Sequence, residues 1–188
     1  MFKNNYKMKT YEQFTQKSDL IKLKEYQVKY ISPFFKKLGY NDIEVNFELW
    51  EDSGKIDPTE FDSEKDMIKI KPEFVKYILL KGDTCGWLIH ETAHHIAHIK
   101  NIIDDNVEYP ANKIERFTYS CQFKYLQEKG LKSIDQLKND RYFKHEFSGG
   151  SNNDEKRMPI LSLYWKTPDV WIKNPDKITP ELQKLINI

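Results

Sequence analysis

The chain has 188 residues, 39% hydrophobic and 14% aromatic, with 31% charged residues that nearly cancel to a formal net charge of +1. That length and composition suit a folded domain with a real core and exclude a disordered chain. Basic charge is carried mainly by lysine, with arginine only at 116, 141 and 157, and balanced acid argues against a nucleic-acid partner.

Residues 18–37 read as a helix, with Ser18 as cap and Leu20, Ile21, Leu23, Tyr26, Ile31 and Phe34 on one face; Pro33 should end or kink it. Over 43–50, Ile43, Val45, Phe47 and Leu49 alternate with polar residues, the pattern of a half-buried strand. A turn-rich stretch follows with Asp52-Ser53-Gly54 and Asp57-Pro58. Met67 to Lys71 reads as a second short strand, and Lys69 and Lys71 suit an edge position. Pro72 opens a short helix over 73–80 that Gly82 ends.

Asp83 or Thr84 is expected to cap a longer helix at about 84–100. After a loop from Asn101 to Tyr109, another helix is expected from near Pro110 to Gly130. Phe147 to Asp154 reads as a loop or boundary. The C-terminal tail, with Tyr164, Trp165 and Trp171, is expected to pack back onto the body, since exposed tryptophans are costly. Cys85 and Cys121 fall on apolar stripes and read as buried thiols; two cysteines are too few for a disulfide framework. The first fifteen residues have no apolar signal-peptide core and no stretch is long enough to span a bilayer, so the expected location is cytoplasmic, without membrane attachment.

The chemistry concentrates in His90-Glu91-Thr92-Ala93-His94. Histidines four apart sit one helical turn above each other, so both imidazoles can reach one zinc ion. Glu91 lies beside the metal-facing edge without binding, where a general base is needed. At about 100° per residue, Cys85, Ile89, Thr92, Ala93 and Ile96 share an apolar side. Trp87, His90, Glu91, His94 and His98 fall opposite.

A catalytic zinc needs a third protein ligand beside an open position. Residue 100 is lysine, which excludes a third histidine six residues after His94. Glu115, at the flank of the next helix's core stripe (Ile114, Phe117, Thr118, Cys121, Tyr125), is the leading candidate. Glu108, Asp104 and Asp105, in the predicted loop, are weaker ones. His98 reads as a wall or supporting residue, and His95 and His145 as non-ligands. His145, Tyr109 or Tyr119 could donate to an oxyanion.

In this order of elements, with the strand Met67-Ile68-Lys69-Ile70, the helix bearing His90-Glu91-Thr92-Ala93-His94 and the helix bearing Glu115, the chain resembles a minimal zincin of the gluzincin kind. The stretch from Trp87 to His98 is also similar to ImmA/IrrE-type peptidases, with Thr118 and Cys121 in the places of small residues after the glutamate. No helix-turn-helix segment accompanies it. The resemblance covers about residues 40–130.

It implies an α+β fold: a small twisted sheet whose edge strand, about 67–71, packs on the active-site helix and pairs with an extended substrate. Length and composition suit a single domain over 1–188, with a core expected at 40–130 and a tail at 147–188 packed on it. The expected activity is zinc-dependent peptide hydrolysis with one ion held by His90, His94 and Glu115 and with Glu91 as general base. The partner is then a protein or peptide substrate. The alternative is a catalytically silent binding or regulatory module on the same fold.

Overall fold

The computed structural model describes residues 17–50, 57–143 and 154–187, with the side chains of 154–156 left aside. The fold is α+β, and its contacts divide it into two compact units that meet in sequence between Asp83 and Thr84. The 40–130 stretch expected as the core straddles that boundary. The loop expected at 147–154 lies almost wholly outside the described residues.

The first unit opens with a helical run over 17–37 (α1). Pro33 does not end it. The turn Gln27–Ile31 widens to a π-helix, the Ser32 N–H reaching back to the Gln27 carbonyl, and Ser32–Lys37 then resumes the α-helix with Pro33 in its first turn. A proline ring collides with the carbonyl four residues earlier in a regular helix, and the widened turn relieves that crowding. Leu23, Ile31, Phe34 and Phe35 are all buried.

Three strands follow: β1 (Asn46–Leu49), β2 (Thr59–Asp62) and β3 (Met67–Ile70). Their order is β1-β3-β2, with β1 parallel and β2 antiparallel to β3. Met67–Ile70 is therefore the central strand of this sheet, not the edge strand expected from its lysines. The physical reason lies in β2, hidden within the turn-rich stretch. Its Asp62 meets Lys69 at 2.7 Å, so the lysine has a neighbour across the sheet rather than open water. That contact, with backbone N–H groups of Lys65 and Glu64, holds the Asp62 carboxyl below its ordinary range. Helix α2 (Pro72–Lys81) closes the unit and ends at Gly82 (φ 80°).

The second unit is helical among its described residues: α3 (Trp87–Ile99), α4 (Lys113–Glu128), a 3-10 turn at Ile134–Leu137, α5 (Asp154–Lys166), α6 (Pro168–Lys173) and α7 (Pro180–Ile186). α3 packs on α4, and α4 packs on α5 and α6. Tyr164, Trp165 and Trp171 are buried, with the Tyr164 and Trp171 rings 4.9 Å apart. The Gln127 amide donates to the Trp165 carbonyl, and the Tyr164 hydroxyl to that of Pro110. Arg116 is fully buried. It donates to the carbonyls of Pro175 and Ala111 and to Asp105, joining the tail, α4 and the loop before it.

The cap of α3 differs from expectation. Neither Asp83 nor Thr84 fills it. The N-cap is Gly86 in the left-handed region (φ 76°), where a Cβ would stand 2.9 Å from Gln122 Cγ of α4. Glycine is required there for both conformation and space, and it lets the two helices approach. Both cysteines are buried and neither forms a disulfide. Among the described residues no helix is long and apolar enough to cross a membrane.

Candidate metal centre

Within the second unit, α3 and α4 bring His90, His94 and Glu115 together. His90 Nε2 and His94 Nε2 are 3.1 Å apart. Glu115 Oε2 lies 3.5 Å from His90 Nε2, and Glu115 Oε1 lies 3.6 Å from His94 Nε2. A tetrahedral zinc with ligands at about 2.0–2.1 Å sets its donor atoms about 3.3–3.4 Å apart. The two imidazole nitrogens stand slightly inside that value, and each carboxylate oxygen stands slightly beyond it from one histidine. Two imidazoles and one carboxylate also form a donor set that zinc favours. The residues present therefore fit a metal ion.

Two helices hold the three candidate ligands. His90 and His94 share one face of α3 at four-residue spacing. Glu115 sits in the first turn of α4, where side chains bind the helix's leading N–H groups. Asn112 accepts from the Glu115 N–H at 2.9 Å, Asp105 from Lys113 and Asp104 from Ile114. That capping fixes the turn from which the carboxylate projects. The Thr118 hydroxyl lies 3.3 Å from Glu115 Oε2.

Gln122 completes the support, and sequence reasoning missed it. Its Oε1 lies 3.2 Å from His90 Nδ1, and its Nε2 donates to the Cys85 carbonyl at 2.7 Å. The second bond orients the amide so that its oxygen faces the histidine. His90 then carries its proton on Nδ1, which leaves the Nε2 lone pair free to face a metal ion. The available signal was spacing: Gln122 lies seven residues, two turns, after Glu115 on the same helix face.

The electrostatics suit a metal at neutral pH. Burial above all, then the neighbouring His94 and the Arg157 charge, holds His90 well below the usual imidazole range, against the opposing bond to Gln122. Burial brings His94 down to about 4. Both rings are therefore neutral near pH 7, the form that ligates.

The other expected residues fall as follows. Glu91 is buried, 6% exposed, one position after His90. His95 is buried and outside the cluster, and His98 is exposed and outside it too. The expected polar face is thus not an open one: of Trp87, His90, Glu91, His94 and His98, the first three are buried. Glu108 is exposed and not among the clustered ligands, while Asp104 and Asp105 serve the α4 N-terminus. His145 lies outside the described residues.

Tyr119 packs its ring on His90 with centroids 4.6 Å apart, and its hydroxyl meets that of Tyr109. Arg157 lies over the Tyr109 ring, 4.7 Å from its centroid, and donates to the Tyr109 hydroxyl. Nothing in the sequence pointed to Arg157, which comes from α5. Comparison with protein-family models, with curated proteins and with solved structures finds no match.

Proposed function

We propose that the chain is a zinc-dependent peptidase of the gluzincin kind, with an ImmA/IrrE-like arrangement around the helix that bears His90 and His94. The triangle of His90 Nε2, His94 Nε2 and Glu115 carboxylate oxygens, with edges of 3.1–3.6 Å, carries this reading. Among the described residues the cluster has three protein ligands, the count of a catalytic zinc site. When bound, the ion supplies a Lewis acid that polarises a carbonyl and makes water nucleophilic near neutral pH.

The chain's own residues supply the rest. Gln122 holds the His90 ring in its ligating tautomer, and Thr118 steadies the Glu115 carboxylate. The carboxylate of Glu91 takes a proton from the attacking water and returns it to the leaving amine. A purely structural site has no use for a carboxylate placed directly after its first histidine.

The test joins zinc analysis to cleavage of unfolded casein. Wild type is expected to hold one zinc per chain and to cleave. Glu91→Gln should keep the zinc and lose hydrolysis, since only the base is removed. His94→Ala and Glu115→Ala should lose metal affinity by orders of magnitude, while Glu108→Gln keeps stoichiometry. Zinc binding with no turnover by wild type on any peptide would replace the peptidase by a silent zinc-holding module. A wild-type chain that binds no zinc would end both readings.

A further inference from the structure

The second unit also holds a pocket of about 450 Å³. Its walls include Val107, Ile160, Leu185 and Ile186, and among its described lining residues Arg157 is the only cation and Glu108 the only acid. Tyr109 also lines it. The Tyr109 hydroxyl meets that of Tyr119, whose ring lies against His90, so the pocket wall is one aromatic ring removed from a metal ligand.

The two charges are not equivalent. Glu108 is exposed, where water and salt screen it. Arg157 is only partly exposed and lies over the Tyr109 ring, where a charge acts more strongly than in open water. A guanidinium presents a planar fork of N–H donors whose geometry matches a two-oxygen acceptor. The lining is mixed, with Asn106 and Asn187 beside the apolar side chains, and Arg157 supplies its one positive anchor among the described residues.

We propose that this pocket selects substrates by a carboxylate, which Arg157 receives with the Tyr109 hydroxyl beside it, while the neighbouring peptide bond lies at the His90–His94–Glu115 cluster. This rests on the peptidase reading and adds its substrate class: peptides with a carboxylate close to the cleaved bond. That carboxylate is either a free C-terminus or an acidic side chain, and the pocket chemistry is the same for both.

The experiment measures binding to the zinc-loaded Glu91→Gln chain, so that no peptide is consumed. The probes are an acetylated tripeptide with a free C-terminus against its C-terminal amide, and amidated peptides with an internal Glu against the same with Gln. The charged member of at least one pair is expected to bind about tenfold tighter, the scale of one charge-assisted bond set. The pair that shows the preference names the source of the carboxylate. Adding Arg157→Gln should bring the ratio near one. Arg157→Lys, a second variant that keeps the charge but lacks the fork, should lose most of it.

Equal binding within both pairs, or a ratio unchanged by both substitutions at 157, would overturn the proposal. The two readings fail separately. A carboxylate preference in a chain that cleaves nothing keeps this site and removes hydrolysis. Cleavage without any carboxylate preference does the reverse.

Discussion

His90 Nδ1 and Gln122 Oε1 stand 3.2 Å apart across the α3–α4 contact, thirty-two positions apart in the chain. The pair decides which imidazole nitrogen is available to a metal, and it depends on a second bond, from Gln122 Nε2 to the Cys85 carbonyl. Gln122→Ala should lower zinc affinity about 10–100-fold, the range for loss of a partner that orients a ligand. Chelator competition measures it. The same variant strands the buried Cys85 carbonyl, so the melting midpoint should fall by an amount matching about 1–3 kcal/mol.

Gly86 should be nearly as sensitive, although it carries no functional group. An alanine there needs a left-handed backbone and pushes its Cβ against Gln122 Cγ, 2.9 Å away. The cost is about 1–3 kcal/mol of stability. The displaced Gln122 should also weaken zinc binding. If Gly86→Ala lowers the denaturation midpoint while zinc affinity stays at the wild-type value, the glycine serves helix packing alone.

Acid should act on the metal-free chain through the two histidines. Their folded pKa values lie below the unfolded value near 6.5, His94 at about 4. Between these values the unfolded chain binds more protons than the folded one, so stability rises with pH across that window. It should be level above about pH 6.5 and fall as pH drops towards 4. For His94 alone the loss is on the order of 2–3 kcal/mol, trimmed because 21% of its side chain meets solvent. Urea titrations at a series of pH values would show the slope. Calorimetry at pH 7 in buffers of different ionisation enthalpy should find almost no proton release from the imidazoles on zinc binding.

Arg116 anchors the Glu115 turn from behind. Its removal takes a donor from two carbonyls and the guanidinium partner from the Asp105 carboxylate. Burial works to raise the Asp105 pKa, but Arg116 and the Lys113 N–H outweigh it and hold that carboxyl below its ordinary range. Arg116→Met should cost about 3 kcal/mol in denaturant unfolding. Zinc affinity should drop with it, because Asp105 also caps the turn that presents Glu115.

The clustering of His90, His94 and Glu115 was legible because it depends on local geometry. Four-residue spacing stacks His90 on His94 whatever surrounds the helix, and Glu115 sits on a recognisable helix flank. Gln122 and Arg157 were not, because their roles exist only once α3, α4 and α5 have packed. The strand order failed for a related reason. Lys69 reads as an edge residue until Asp62 comes across from β2, and a four-residue strand after Asp57-Pro58 carries too little pattern to be seen. The cap of α3 was misread because Asp83 and Thr84 are the usual capping types, while the close approach of Gln122 that demands glycine is a tertiary fact.

The widened turn at Gln27–Ile31 gives α1 one residue more than a regular helix of the same reach would hold. Leu23 before it and Phe34 and Phe35 after it are buried, so both flanks are pinned. Deleting the exposed Val28 would let an ordinary turn join the same flanks, yet the Pro33 ring would then strike the carbonyl it now avoids. The surplus residue and the imino acid thus form a matched pair: the chain tolerates the loss of both far better than the loss of the residue alone.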